Sequence, residues 1–289
     1  MALGIAATTT VFSVIYGVLM DPYPYRDANR MVHVELFDNT GRQMGLVFNT
    51  GPELSELKQA KCGDDVFMMN NTTATLTSSS QLPVSVQLGE YTPNLFEYMR
   101  VPPLLGRQFT HADLTDGKAS SVAVLSYLFW KKQFGASRDV VDKTIELDRK
   151  LYTILGVAAP RFTGGDSDVY VPKVPTNDPH DYSMSFVKLK PGVTLAAANA
   201  ELEPIIFQFR DRDPKGYPPL TRVKTVTLNE DLLGRFSGTL LLLFGAVLLL
   251  LVIGCANVSI LMLARGTARM SSRFVHPWGR HGGGSCANC

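Results

Sequence analysis

The sequence predicts an α+β domain, residues 21–235, carried between two apolar segments that read as membrane helices. Three observations predict it. Thr239–Ala264 (TLLLLFGAVLLLLVIGCANVSILMLA) is 26 residues without a charge. At about 1.5 Å per helical residue it spans roughly 39 Å, more than the roughly 30 Å hydrocarbon core of a bilayer. Ala2–Met20 is a second uncharged run, of 19 residues, closed by Asp21-Pro22. Between the two, period-two alternations of apolar residues interleave with short stretches of helical spacing. The strands are short and amphipathic, which fits an α+β domain with one solvated sheet face better than a buried parallel sheet.

Each element has its own signal. Met31–Phe37 (MVHVELF) alternates and reads as a strand. Pro52–Ala60 places Pro at a helix start with Leu54 and Leu57 three apart, a short helix. Asn70–Ser80 (NNTTATLTSSS) is the most loop-like stretch and an exposed edge; it carries sequons at Asn70 and Asn71. Leu82–Leu88 alternates again, and Thr92 is the expected N-cap of a helix through Met99. Ser121–Leu125 is a strand, and Ser126 caps a helix that Gly135 ends. Thr144–Leu147 and Leu151–Val157 flank Asp148-Arg149-Lys150, a hairpin signature. Asp168–Val171 and Ser185–Leu189 are strands. Thr194 caps an amphipathic helix from Leu195 to about Phe209. Arg222–Leu228 is the last strand, and Asn229–Phe236 leads helically toward the second apolar segment.

Basic residues set the expected topology. Arg265, Arg269, Arg273 and Arg280 follow the second apolar segment, so its C-terminal side is expected in the cytoplasm and residues 21–235 outside it. The first segment lacks the basic start and small-residue cleavage site of a signal peptide, and Tyr-Pro-Tyr follows it. It reads as a retained membrane helix whose cytoplasmic start is missing; a signal-like segment or a buried core helix is the alternative.

The composition excludes several function classes. A net charge of +2 gives no electrostatic footprint for nucleic acid. The sequence has no phosphate-binding loop, no H-E-x-x-H and no G-x-S-x-G, so neither a cofactor nor a catalytic residue is expected. Cys286 and Cys289 are spaced C-x-x-C without a second ligand pair, and Gly164-Gly165-Asp166 with Asp168 lacks EF-hand spacing, so no metal is expected. His111 with Asp113, and His180 with Asp178 or Asp181, resemble acid–base pairs but sit in polar, turn-prone stretches where solvated loop residues are the simpler reading. Cys62 is the lone cysteine of the middle region, which therefore forms no internal disulfide.

The polar residue that stands out is Asn257, inside the second apolar segment, where an amide needs a partner. Cys255 and Ser259 are small and four apart, spacing that allows close helix approach. Cys255, Asn257 and Ser259 are therefore the helix-packing candidates; a hydrated Asn257 near the cytoplasmic end is the alternative.

Seven segments, in order, resemble one family: ALGIAATTTVFSVIYGVLMDPYPY, PNLFEYMRVPPLLGRQFT, VAVLSYLFWKKQFG, IELDRKLYTILGVAAPRF, DVYVP, KLKPGVTLAAANAELEPI and IGCANVSILMLARGTAR. Together they are similar to the MacB-like, FtsX-type ABC transporter permeases, in particular the large bacterial branch called duplicated orphan permeases. The resemblance implies a first helix (1–20, its start truncated), an extracytoplasmic core domain (21–235) and a second helix (236–265) returning to the cytoplasm. The core would join a porter-like α/β part to an inserted β-rich part, roughly Gly106–Pro172. It further implies a bacterial inner-membrane protein of efflux or envelope mechanics. The resemblance also implies a separate ABC ATPase subunit, other permease copies completing a dimer, and a periplasmic adaptor as a further partner. Ser271–Cys289 loses the resemblance, so the cytoplasmic tail 266–289 is expected to be aberrant after 270, as a truncated or frameshifted gene product would be. The alternative function is a membrane-anchored extracytoplasmic binding or sensory module without transport.

Overall fold

The computed structural model of the chain describes residues 25, 27–78, 81–162, 164–178, 180–214, 217, 222–230, 242, 245–249, 251–260 and 262. The chain divides into two units, Asp21–Gly234 and the flanking segments Met1–Met20 with Arg235–Cys289. The expected first helix and the tail 266–289 lie outside the described residues. Of the expected second helix, residues 245–249 and 251–260 are described and helical. Among the described residues no helix is long and apolar enough to cross a membrane.

The unit Asp21–Gly234 has two halves. In the first, strands β1 (Met31–Phe37), β4 (Gly63–Ser78), β13 (Ser183–Leu189) and β14 (Arg222–Thr227) are neighbours in the order β4-β13-β1-β14. Two short pieces, β2 (Gln43–Leu46) and β3 (Phe48–Asn49), wedge between β1 and β13 where those strands diverge. Helices α1 (Gly51–Leu57) and α4 (Leu195–Arg212) contribute to the core on one face of this sheet. Their ends follow local chemistry. Thr50 and Glu53 form a reciprocal capping box at α1, and Thr194 Oγ1 accepts the Ala197 amide 3.2 Å away at α4. Along α4, Ala198, Leu202, Ile206 and Phe209 recur on one side and are fully buried with Val32, Val34, Val66 and Val187. Cys62 lies in this core; burial first, then Glu201, pushes its thiol up to about 11, so it is an inert packing residue.

The second half is a barrel. β4 continues past β13 and pairs with β5 (Gln81–Tyr91). β5 pairs in parallel with β12 (Val169–Pro172), which pairs with β9 (Val122–Leu125). β9 pairs in parallel with β11 (Lys150–Val157), which pairs with β10 (Thr144–Leu147). β10 closes the circuit on β4 through Leu147↔Leu76 and Glu146↔Thr77. Among the described residues these six strands form one closed ring. Its interior holds Ala74, Leu76, Val86, Leu88, Ala123, Leu125, Ile145, Leu147, Ile154 and Val169, the every-second-residue pattern a closed sheet requires. Helix α3 (Tyr127–Phe134) contributes Phe129 and Trp130 to the same core, capped by Ser126 and ended by Gly135 at φ 59°. The barrel thus takes strands from β4 and β5 as well as from the segment Gly106–Pro172.

Several expectations change. Asn70–Ser78 is the barrel half of β4, because Ala74 and Leu76 alternate inward while Thr73, Thr75 and Thr77, good strand formers, face out. The second face of the first half's sheet is solvated only at its β14 edge, at Arg222 and Lys224: β1 is buried almost throughout, and its His33 and Glu35 on that face are covered. Thr92 does not cap α2 (Leu95–Met99), whose N-cap is Asn94; the Thr92 hydroxyl accepts the Met68 amide at 3.0 Å and ties β4 to the end of β5. Two small pairings were not among the expected elements, although Asp116-Gly117 is a two-residue hairpin signal. β6 (Leu105–Gly106) pairs with β11, and β7 (Leu114–Thr115) pairs with β8 (Lys118–Ala119) around Asp116-Gly117.

Asp148 and Arg149 form the β10–β11 turn with φ of 47° and 65°. This left-handed region disfavours non-glycine residues by about 1–2 kcal/mol each. Asp148 is held there by the barrel seam: its carboxylate accepts the Thr75 amide at 2.8 Å and its amide donates to Thr75 O at 3.0 Å. Arg149→Gly is expected to stabilise the barrel by about 1 kcal/mol, read as a higher urea midpoint by Trp130 fluorescence of the detergent-solubilised chain in which the second tryptophan, Trp278, is replaced by Phe. Leu202→Ala is expected to cost about 2–5 kcal/mol; a change under half a kilocalorie would mean α4 does not carry this core.

Candidate coupling site

The first and last strands of the unit are hydrogen-bonded neighbours. β1 and β14 run antiparallel in unbroken register from Val32↔Thr227 to Phe37↔Arg222. Residues immediately before β1 and immediately after β14 therefore meet at one place, where the Asn229 side-chain amide donates to Asn29 Oδ1. β14 passes directly into helix, with residues 228–230 helical. Thr227 and Glu230 cap this start reciprocally: Thr227 N donates to Glu230 Oε2 and Glu230 N to Thr227 Oγ1, both at 3.1 Å. Asn199 of α4 accepts the Thr225 amide at 2.8 Å, occupying a donor of the last strand.

Charged residues reinforce the same end. Asp27, at φ 67°, accepts Arg30 at 2.7 Å and lies 3.8 Å from Arg100. The hydrogen bond from Arg30 holds the Asp27 carboxyl below the usual carboxylate range. Arg30 also donates to Leu189 O at 2.8 Å, joining the start of β1 to the end of β13. Beside them Lys188 is buried; its amine donates to Tyr98 O at 2.9 Å and lies 5.2 Å from the Tyr98 ring centre. Burial lowers its pKa.

The sequence-predicted packing residues lie on the described helical stretch 251–260 and are exposed. Cys255 and Ser259 sit one turn apart, and the Ser259 hydroxyl donates to Cys255 O at 2.9 Å. At about 100° per residue Asn257 lies roughly 200° around from Cys255, so helical geometry puts it on the other side of the helix. The apolar neighbours Leu251, Val252, Ile253 and Ile260 are exposed too.

The histidine–carboxylate pairs are structural or solvated. Asp113 is gripped by both Arg107 nitrogens, at 2.7 and 2.8 Å, rather than by His111. His111 lines an open polar cleft of about 380 Å³ with Lys58, Asp64, Asp65 and Glu97. His180 Nδ1 lies 3.2 Å from Asp178 on the surface, and Asp181 is bound by Lys173. Among the described residues no His, Cys, Asp or Glu group could hold a metal ion.

The sequence profile of the MacB-like periplasmic core domain matches residues 1–205. The chain belongs to this family. It is a MacB-like periplasmic core domain of the ABC-type transporter permease class. Its fold is similar to that of the periplasmic region of MacB from Actinobacillus actinomycetemcomitans, with a TM-score of 0.53 at 14% identity over 79% of this chain and 98% of that one. It is also similar to the extracellular domain of the noncanonic ABC-type transporter YknZ from Gram-positive bacteria, with a TM-score of 0.50 at 16% identity over 68% and 100%. A domain of a putative permease from Porphyromonas gingivalis aligns with a TM-score of 0.51 at 15% identity over 71% and 94%. No curated protein matches. The two-part core expected from the sequence is the fold of this MacB-like domain.

Because Asp27 has a depressed pKa in the folded state, its contribution to stability is present above the unfolded carboxylate value of about 3.9 and is lost as pH falls through the lower folded value. Asp27→Asn is therefore expected to lower stability at pH 7 by up to about 1 kcal/mol, the size of a partly exposed ion pair. The difference from wild type should vanish near pH 2. Urea midpoints at the two pH values check this; a gap that persists in acid would assign the effect to packing.

Proposed function

We propose that the chain is a permease subunit of a MacB-like ABC transporter that couples motion driven by a separate ATPase to an extracytoplasmic domain, for export or envelope mechanics. The observation that carries this reading is the pairing of β1 with β14. In sequence, one uncharged segment precedes β1 and the other follows β14. A movement of two membrane helices would enter the domain through strands that a continuous hydrogen-bonded ladder holds together, so it would move the domain as a body rather than pull the strands apart. The reading places residues 21–235 outside the cytoplasm of a bacterial inner membrane, with the first and second helices at 1–20 and 236–265. It requires an ABC ATPase subunit and a second permease copy, and it allows a periplasmic adaptor. The Cys255–Ser259 turn is the proposed contact between membrane helices, because small residues permit close backbone approach; Asn257 would serve a separate face.

Topology and partner are tested separately. Alkaline phosphatase fused after Glu230 is expected to be active and a fusion after Arg269 inactive; the reverse pattern would overturn the orientation. Affinity purification of the full chain from native membranes is expected to bring down a protein carrying a phosphate-binding-loop ATPase domain. Its absence, with topology intact, would favour an anchored binding module.

A further inference from the structure

The two halves share few continuous elements. β4 leaves β13 and joins β5 at Met69, which pairs with both Met184 and Tyr91. The connector from β12 back to β13, residues 173–182, is the return path. A lone strand crossing between a sheet and a barrel would be a hinge. Instead, the start of the return path is pinned on both sides. Lys173 N donates to Tyr91 O at 2.7 Å, and the Lys173 amine bonds to Glu90 of β5 at 3.1 Å and to Asp181 at 2.8 Å. Asp181 in turn accepts the Thr176 amide at 3.1 Å and its hydroxyl at 2.8 Å. Thr176 O accepts the amide of Gly51, the first residue of α1, at 3.2 Å. A side chain at position 51 would collide with that carbonyl, its Cβ only 2.4 Å from Thr176 O. One unbroken chain of contacts therefore runs from the barrel strand β5 through Lys173, Asp181 and Thr176 to helix α1.

We propose that Lys173, held between Glu90 and Asp181, is a strut that fixes the barrel against the sheet half, so that displacement entering at β1 and β14 reaches the barrel undiminished. The three side chains are only 16 to 30% exposed, so the network is shielded from water more than an ordinary surface pair. Burial alone would lower the Lys173 pKa, but its bonds to Asp181 and Glu90 outweigh burial and raise it, which keeps the strut charged. The strut takes its biological purpose from the permease reading. Its mechanics stand on this geometry alone, and the test below does not involve the ATPase.

The experiment uses the full chain in lipid nanodiscs with Cys255, Cys286 and Cys289 replaced by serine. Spin labels are placed at the exposed positions Lys132 on the barrel side and Lys224 on the sheet side. Wild type should give one narrow distance distribution, and Lys173→Met a broader one. Hydrogen exchange in 173–182 should rise by about tenfold or more, the loss expected for charged hydrogen bonds, while exchange in β1, β13 and β9 stays unchanged. Lys173→Arg should restore the narrow distribution. If Lys173→Met does not fold, Glu90→Gln, which leaves the Asp181 contact intact, should still broaden the distribution. A wild-type distribution in whichever of these two variants folds would overturn the strut, whatever ATPase purification shows.

Discussion

The structure depends on one strand being long enough to belong to two sheets. β4 runs sixteen residues, and its period-two alternation serves three cores in succession. Val66 and Met68 pack under α1 and α4, Phe67 and Met69 face the aromatic cluster on the opposite side, and Ala74 and Leu76 point into the barrel. Since a one-residue slip would swap the two faces at once, the register of β4 fixes sheet and barrel together. β13, β5 and β10 each take their alignment from a different part of it.

The aromatic cluster between the halves follows from that alignment. Phe67 stacks on Phe186 with ring centres 4.9 Å apart and meets Tyr98 edge-on at 4.6 Å. The cluster continues through Phe96, Phe162 and Tyr170 to the outer side of the barrel strands. Edge-to-face and offset contacts of this kind add to the apolar area they bury. They also explain why the second face of β1, which carries His33 and Glu35, is not solvated. Here tertiary context overrode an alternation that reads as half-exposed.

In this MacB-like domain the first and last strands of the unit lie side by side. β1 and β14 join the ends of the unit, and the polar and ionic contacts of Asp27, Arg30 and Arg100 reinforce them. The domain's polar residues are spent on caps, strand edges and junctions: Thr227 with Glu230, Asn199 on Thr225, Asp148 on Thr75.

The local signals in the sequence determined much of the fold. Alternation marked β1 and most of β5, Pro52 marked the start of α1, the caps Ser126 and Thr194 marked the starts of α3 and α4, and the resemblance in seven ordered segments marked the family. These are short-range properties, set by which residue follows which. The spacing of Cys255 and Ser259 one helical turn apart is a short-range property of the same kind, and helical geometry alone puts Asn257 on another side of the helix. Tertiary structure decided what depends on residues far apart in the chain. Asn70–Ser78 looks like a loop until β5 and β10 lie on either side of it. The barrel closes through just two register pairs at its seam. The adjacency of the first and last strands of the unit rests on a pairing between residues some two hundred positions apart. No local pattern encodes such a contact, because its free energy comes from burying distant apolar faces against each other, and only the folded chain brings them together.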